Sequence, residues 1–208
     1  MIKIHLILAL VSLVACSKSS NSNKENLNTF PTTEILAEVD SSKTHINLEK
    51  STIKWFATEM GGLKKRSGKV QFKSGYFLMK NGKINNGSFI VAMNTLDVTD
   101  MPPHETTARR NVVTHLKNED FFDVKKYPEA TLKFTNIVYK SANTLEIEGM
   151  LTIKGISKNI RFTASQKVNG LEAQLEFDRF DYNIAYQGSW VAKTFIDRKV
   201  SLNVKIYL

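Results

Sequence analysis

The chain has 208 residues, of which 42% are hydrophobic and 24% charged, and its formal net charge is +9. This composition is ordinary for a soluble protein and is sufficient for one domain with a substantial core and additional segments. The single cysteine, Cys16, excludes an internal disulfide.

The first 15 residues have the pattern of a signal peptide. Lys3 precedes an apolar run over residues 6–14, which is too short to span a bilayer as a helix. The sequence LVAC at residues 13–16 resembles the bacterial lipobox, in which the cysteine becomes the N-terminus and is acylated. We therefore predict a lipoprotein signal peptide over residues 1–15 and lipid attachment at Cys16, which would anchor the protein in a membrane. The alternatives are a plain secretory signal with an incidental cysteine and a free buried thiol.

Residues 16–43 are predicted to form a flexible tether, because serine and asparagine dominate residues 17–28 and aromatic side chains are absent there. Ser17 and Lys18 follow the cysteine, where some surface-displayed lipoproteins carry acidic residues. This favours an exported protein anchored to the outer membrane of a bacterial envelope and facing the periplasm. For such a protein, the scattered lysines favour solubility or contact with lipid headgroups, and we expect no nucleic-acid partner. A homodimer is compatible with the sequence.

The domain is predicted over residues 44–208, with a first strand over residues 44–48. From residue 51 onward, apolar residues recur at every second position, which is typical of strands with one buried face. Turns are predicted at residues 81–82, 141–143, 155 and 169–170, and a hairpin tip at residues 61–62. The residues expected to face inward on the first half of the strands are Ile53, Trp55, Ala57, Val70, Phe72, Ser74, Tyr76, Leu78, Phe89, Val91 and Met93. On the second half they are Leu132, Phe134, Val138, Leu145, Ile147, Gly149, Leu151, Ile153, Ile160, Phe162, Ala164, Leu171, Ala173, Leu175, Phe177, Val200, Leu202, Val204, Ile206 and Leu208.

One helix is predicted after the signal peptide, over residues 105–116, with Thr106 or Thr107 as its cap and a short apolar stripe that includes Val112 and Leu116. It leads into residues 115–134, HLKNEDFFDVKKYPEATLKF, in which Pro128 favours an extended exit and a strand from about residue 129.

About eight short strands with polar outward positions predict an all-β fold, either a sandwich or an up-and-down barrel. An eight-stranded barrel has an interior just wide enough for packed side chains or for one slender ligand. The helix is then a single insertion beside the sheet.

Three stretches in order resemble the YceI-like family of bacterial exported proteins: residues 115–134, residues 147–162 (IEGMLTIKGISKNIRF) and residues 179–184 (RFDYNI). The resemblance implies an eight-stranded antiparallel lipocalin-like barrel that holds a polyisoprenoid chain in its interior. The chain departs from the family where an Arg-Asp pair is replaced by Val112 and Val113, and where the usual Trp or Phe followed by Gly is Tyr182 followed by Asn183.

The resemblance implies that inward-facing apolar residues line a tunnel for the ligand, whereas the residues alone favour a packed core. The candidate lining residues are Trp55, Phe72, Phe89, Val91, Leu132, Phe134, Ile147, Leu151, Phe162, Leu175 and Phe177. Arg179 and Asp181 lie two residues apart, which on a strand places them on one face. They are candidates for contacts to a ligand headgroup or for a structural ion pair at a barrel end.

No nucleophile elbow, phosphate-binding glycine loop or Cys-His pair is present in the sequence. The three histidines after the signal peptide, His45, His104 and His115, are widely spaced, so we predict no metal site and no cofactor. We predict a lipid-anchored periplasmic binding protein for a polyisoprenoid or similar apolar chain, and no enzyme activity. The alternatives are an enzyme that modifies a lipid at the barrel mouth with Asp181, Arg179 or His115, and a structural or stress-response envelope protein with a solid core.

Overall fold

The structure is a computed structural model and describes residues 42–185 and 196–208. Residues 1–41, including the predicted signal peptide, Cys16 and most of the tether, lie outside the described residues. The described residues form the following elements: β1 Ser42–His45, β2 Thr52–Glu59, β3 Lys64–Lys80, β4 Lys83–Val98, α1 Thr106–Lys117, β5 Glu129–Tyr139, β6 Thr144–Ile153, β7 Ile156–Lys167, β8 Gly170–Asp178, a 3-10 helix Arg179–Tyr182, and β9 Ile196–Tyr207.

Strands β2 to β9 form a closed antiparallel barrel in which each strand pairs with its neighbours in sequence and β9 pairs with β2. At the closure, Ile53 lies opposite Val204 and Trp55 opposite Leu202. The ninth strand, β1, extends the wall by pairing with the second half of β3. The predicted fold, an eight-stranded lipocalin-like barrel with one helical insertion, is therefore confirmed, with one extra strand.

Two of the predicted hairpin turns are tight turns with left-handed backbone. Asn81 and Gly82 have φ of 52° and 72°, and Lys154 and Gly155 have φ of 50° and 73°. Consecutive positive φ values match the right-handed twist of the flanking strands, and asparagine and glycine adopt them at low cost. These turns and the one near residues 141–143 lie where the sequence predicts them, and the turn predicted at residues 169–170 lies one residue earlier, at 168–169.

A bulge in β3 overturns part of the predicted inward face. Phe72 lies opposite Val91 and Ser74 lies opposite Ile90, so Lys73 is an extra residue without a partner on β4. One inserted residue moves all following side chains to the other face. The prediction that Ser74, Tyr76 and Leu78 face inward is therefore wrong, and Gly75 and Phe77 are the buried residues instead.

Strand β5 contains a similar irregularity between Phe134 and Asn136. Val138, which was predicted to face inward, exposes 41% of its surface. Ile137, one residue earlier, packs against the core in its place.

Helix α1 begins and ends one residue later than predicted, and its capping prediction is wrong. Its N-cap residue is Glu105, which makes no side-chain capping hydrogen bond, and none of the helix side chains is buried. Two hydrogen bonds to backbone oxygens hold the helix beside the end of β4. Arg109 Nε donates to the backbone oxygen of Val98 at 2.9 Å, and Lys117 Nζ donates to the backbone oxygen of Asn94 at 2.6 Å. Within the described ranges, no helix has the length and apolar character needed to cross a membrane.

After α1, the chain returns to the barrel wall through a buried aromatic contact. Phe121 is 3% exposed and meets the ring of His115 edge-on at 5.0 Å. The oxygen of Pro128 accepts a 2.9 Å hydrogen bond from the N–H of Met93, and β5 begins at the next residue, as predicted.

Candidate ligand-binding cavity

The main cavity, of about 470 Å³, lies inside the barrel at the end that carries α1, which we call the α1 end. This volume falls within the range of about 300 to 1,000 Å³ of small-molecule sites in proteins. The described residues that line it are Ile53, Trp55, Ala57, Glu59, Arg66, Val70, Val91, Met93, Leu96, Asn111, Val112, His115, Leu116, Phe121, Phe122, Ala130, Leu151, Ile153, Phe177, Arg179, Ile184, Ile196, Val200 and Leu202. Most are apolar, so the site suits a ligand that is bound mainly through burial of apolar surface.

A second, smaller cavity of about 60 Å³ lies deeper in the barrel and is lined mainly by aliphatic and phenylalanine side chains. Five residues border both cavities: Ile53, Val91, Ala130, Leu151 and Leu202. They lie on β2, β4, β5, β6 and β9 at the level where the two cavities adjoin, and we call them the partition.

Closely packed phenylalanines occupy the barrel beyond the partition. The ring centroid of Phe89 lies 6.0 Å from that of Phe72, 5.2 Å from that of Phe77 and 5.4 Å from that of Phe134, and the ring of Phe134 lies 6.0 Å from that of Phe162. We call these five residues the aromatic floor. The described residues thus leave a cavity at the α1 end and place closely packed phenylalanines in the other half of the barrel.

A polar network links hairpin ends at the far end of the barrel, beneath the aromatic floor. The Tyr139 hydroxyl lies 2.6 Å from Gln166 Oε1 and accepts a 2.8 Å hydrogen bond from the N–H of Ile84. Gln166 Nε2 donates to the oxygen of Gly82 at 2.8 Å. Burial raises the pKa of Tyr139, while the hydrogen bond to the backbone of Ile84 opposes the shift.

The predicted lining residues are divided between these regions. Trp55, Val91, Leu151 and Phe177 border the main cavity. Those that border the deeper cavity are Phe72, Phe89, Leu132, Phe134, Phe162 and Leu175, together with Val91 and Leu151. Ile147 borders neither of them and is fully buried on β6.

Sequence reasoning missed the contribution of α1 and of the segment after it. Asn111, Val112, His115 and Leu116 close one side of the main cavity, and Phe121 and Phe122 continue that wall. The apolar stripe at Val112 and Leu116 was the available signal, but a helical pattern alone does not indicate which strand ends the helix will face.

Trp55 combines an apolar cavity surface with a satisfied polar group. Its Nε1 donates to the oxygen of Asp97 at 3.1 Å. A Cβ atom at Gly68, on the neighbouring strand, would lie 2.5 Å from the indole ring. Glycine at this position therefore provides the space that the ring occupies.

The charged residues near the rim of the main cavity are paired. Arg66 Nε lies 3.0 Å from Glu59 Oε1, and Arg66 Nη1 lies 3.4 Å from Asp100 Oδ2. The hydrogen bond to Glu59 raises the pKa of Arg66, while partial burial opposes the shift.

Arg179 and Asp181 do not share a strand face, because they lie in the 3-10 helix after β8. Arg179 is 2% exposed, borders the main cavity and donates to the backbone oxygens of Ile184, Ile196 and Asp197 at 2.6, 2.7 and 3.1 Å. Burial lowers its pKa, although nearby carboxylates oppose this effect. Asp181 is exposed and is not among the cavity-lining residues.

Tyr182 ends the 3-10 helix in an apolar environment. It is 1% exposed, and its ring meets that of Phe177 edge-on at 5.5 Å. Its hydroxyl finds no hydrogen-bond partner within the part of the chain that the structure describes. Burial, and secondarily the charge of Asp181, raise the pKa of Tyr182 to about 12.

Residues 42–185 and 196–208 contain no group of three or more His, Cys, Asp or Glu side chains that could hold a metal ion. The described lining of the main cavity is mostly apolar, with paired charges at Glu59 and Arg66 near its rim.

A closed eight-stranded barrel with an apolar interior cavity defines a lipocalin-like barrel protein. Comparison with known families makes this more specific, because the YceI-like domain matches residues 38–208. The chain belongs to the YceI-like domain family. The three stretches that resemble this family, at residues 115–134, 147–162 and 179–184, all lie inside the matched range.

Curated relatives match over a short segment. A UPF0312 protein from Vibrio parahaemolyticus is 42% identical over 50 residues, which are 24% of this chain and 26% of the relative. A UPF0312 protein from Pseudomonas putida strain W619 is 39% identical over 51 residues, 24% of this chain and 27% of the relative. The chain thus matches about a quarter of the length of these relatives.

Solved structures confirm the fold over most of the chain. BcnA from Burkholderia cenocepacia matches with a TM-score of 0.61 and 19% identity, over 78% of this chain and 99% of that one. A polyisoprenoid binding domain from Saccharophagus degradans matches with a TM-score of 0.55 and 9% identity, over 81% and 98% of the two chains. At such identities the likeness concerns the barrel architecture.

Proposed function

We propose that the protein binds a polyisoprenoid or a similar apolar chain in the main cavity. The observation that carries this proposal is the apolar cavity of about 470 Å³ in a barrel whose other half is packed. Binding would gain about 25 cal/mol for each Å² of apolar surface removed from water. The name of the Saccharophagus degradans neighbour, a polyisoprenoid binding domain, supports the same ligand class.

The partition and the aromatic floor limit the length of chain that the barrel accommodates. On β2, the main cavity extends from Ile53, at the partition, to Glu59, at the rim. With the usual rise per residue and strand tilt, this corresponds to a depth of about 15 Å along the barrel axis. The ligand is therefore a short chain, or a longer one of which only an end enters the barrel.

Native mass spectrometry of protein extracted gently from its own cells tests the proposal. The expected result is a co-purified apolar lipid that is recovered chemically unchanged after long incubation, since we propose binding without conversion. A complementary titration with farnesol should change the intrinsic fluorescence of the two tryptophans, Trp55 and Trp190, and the contribution of Trp55 to that change should be lost in Trp55→Phe. Absence of both a co-purified lipid and a response to farnesol would refute the proposal.

We also propose that Cys16 is acylated and anchors the protein to the outer membrane, facing the periplasm. The LVAC motif and the polar stretch that follows it support this location. Cells fed a clickable fatty acid should label the wild-type protein and leave Cys16→Ser unlabelled. Fractionation and protease accessibility of intact cells would then test which membrane and which face carry the protein.

A further inference from the structure

The hairpin between β2 and β3 ends in an exposed apolar turn. Leu63 exposes 80% of its surface and Met60 44%. Gly61 and Gly62, between them, have φ of 67° and 94°, which glycine adopts without strain. The N–H of Gly61 donates a 3.0 Å hydrogen bond to Asp197 Oδ1, which ties the turn to β9.

Two lysines follow this turn at the start of β3. Lys64 and Lys65 are both exposed, and neither forms an ion pair with any described residue. The next residue, Arg66, is by contrast paired with Glu59 and Asp100. Residues 60–65, which we call the basic tip, thus combine an apolar apex with two lysines that form no ion pair among the described residues, and the Asp197 carboxylate lies on the β9 side of the turn.

The basic tip lies at the rim of the main cavity, because Glu59 and Arg66 flank it in sequence and both line that cavity. We propose that the basic tip docks on an anionic lipid bilayer. Leu63 and Met60 enter the headgroup region, and Lys64 and Lys65 lie against anionic headgroups. Burial of apolar side chains together with attraction of lysines to anionic lipid is the usual basis of peripheral membrane binding. Docking in this way brings the cavity rim to the bilayer surface.

The opposite end of the barrel provides a natural comparison. Val168, in the turn between β7 and β8, is 98% exposed. The lysine beside it, Lys167, lies 3.4 Å from Glu172 and is therefore compensated. Single exposed apolar residues are common on soluble proteins, so Val168 serves as a control for the mere presence of an exposed apolar side chain.

A fluorescent label at position 60 tests the proposal. The full chain would carry Cys16→Ser and Met60→Cys, so that an environment-sensitive dye attaches at one position, and the control chain would carry Cys16→Ser and Val168→Cys. Each is titrated with vesicles of mixed phosphatidylglycerol and phosphatidylcholine and with vesicles of phosphatidylcholine alone. Thermal unfolding of the labelled chains verifies that each is folded.

The expected result is a blue shift at position 60, with quenching by lipid-bound quenchers, in vesicles that contain phosphatidylglycerol and no such change at position 168. Lys64→Gln and Lys65→Gln should each weaken vesicle binding about five-fold, and Leu63→Ser should weaken it roughly ten-fold. The proposal is overturned if the label at position 60 remains in water, if both labels respond equally, or if phosphatidylcholine alone gives the same affinity. None of these measurements depends on the cavity ligand, so they can fail or succeed independently of the proposed function.

Discussion

The guanidinium of Arg179 donates a 2.6 Å hydrogen bond to the backbone oxygen of Ile184, and the same group also reaches the oxygens of Ile196 and Asp197. It thereby joins the segment that follows β8 to the start of β9. A buried cation is tolerated here because backbone acceptors replace its hydration.

Replacing Arg179 with lysine should destabilise the barrel. An ammonium group cannot satisfy several carbonyl oxygens in a fork, so buried acceptors lose their partners. We expect a loss of about 3 kcal/mol in the free energy of unfolding, measured with urea. Arg198→Lys is the matched control, since Arg198 is exposed and pairs with Asp178, and it should cost less than about 1 kcal/mol. Equal losses in the two variants would contradict the assigned role of Arg179.

Tyr182→Phe should stabilise the protein. The substitution removes a buried hydroxyl that finds no partner among the described residues and keeps the ring that packs on Phe177. We expect a gain of about 1 kcal/mol in the free energy of unfolding. The same substitution at Tyr139, whose hydroxyl bonds to Gln166 and Ile84, should instead cost about 1 kcal/mol. Changes of the same sign at both positions would argue against this account.

The raised pKa of Tyr182 predicts a specific loss of stability in alkaline solution. In the unfolded chain this tyrosine ionises near pH 10, whereas in the fold its pKa is about 12. Between these values the unfolded state releases a proton that the folded state retains, so stability falls as the pH rises, by up to about 3 kcal/mol. Below pH 10 this loss is absent. The free energies of unfolding of wild type and Tyr182→Phe, measured with urea, should diverge as the pH rises through this range. A difference that stays constant with pH would refute the prediction.

Leu151→Ala should extend the chain length that the barrel accepts. Leu151 borders both cavities, so its truncation connects them. In a series of geraniol, farnesol and geranylgeraniol, the affinity of the wild type should stop rising with chain length once the main cavity is filled. The affinity of the variant should rise further for the next longer prenol in the series.

Leu145→Ala is the control for this experiment, because Leu145 lies on the same face of β6, is fully buried and borders neither cavity. Both variants should lose about 2 to 5 kcal/mol of stability, but Leu145→Ala should keep the wild-type length preference. If no prenol binds any of the proteins, the proposed ligand class is wrong. If all three proteins show the same preference, the partition does not set the length.

The sequence predicts the all-β strands because β6 and β8 alternate without interruption, from Leu145 to Ile153 and from Leu171 to Phe177, and the resemblance to the YceI-like family selects a barrel over a sandwich. The prediction fails on β3 and β5, since a bulge changes the face of every residue after it, and the unbroken apolar runs at residues 76–79 and 137–139 hide the resulting change of phase. Phe77, one of the most buried side chains, was missed for this reason.

The candidate site was less predictable than the fold. Alternation identifies inward residues, but whether Phe134 or Trp55 meets a void depends on how side chains from several strands fill the interior. Phe134 packs into the aromatic floor, and Trp55 borders the main cavity. The sequence predicts one strand face for Arg179 and Asp181, which is wrong. The 3-10 helix that contains them spans only four residues, and so short an element produces no recognisable pattern in the sequence.

The pairing of β9 with β2 has a consequence for how the protein is made. These strands are joined only when the last residues of the chain are available, so a chain that is still being synthesised or translocated has two unpaired edges, on β2 and on β8. Unpaired edges with apolar faces are prone to aggregation, and contacts between residues so distant in sequence form slowly. The barrel is therefore vulnerable until β9 is in place, and a chain truncated before β9 would keep both edges unpaired.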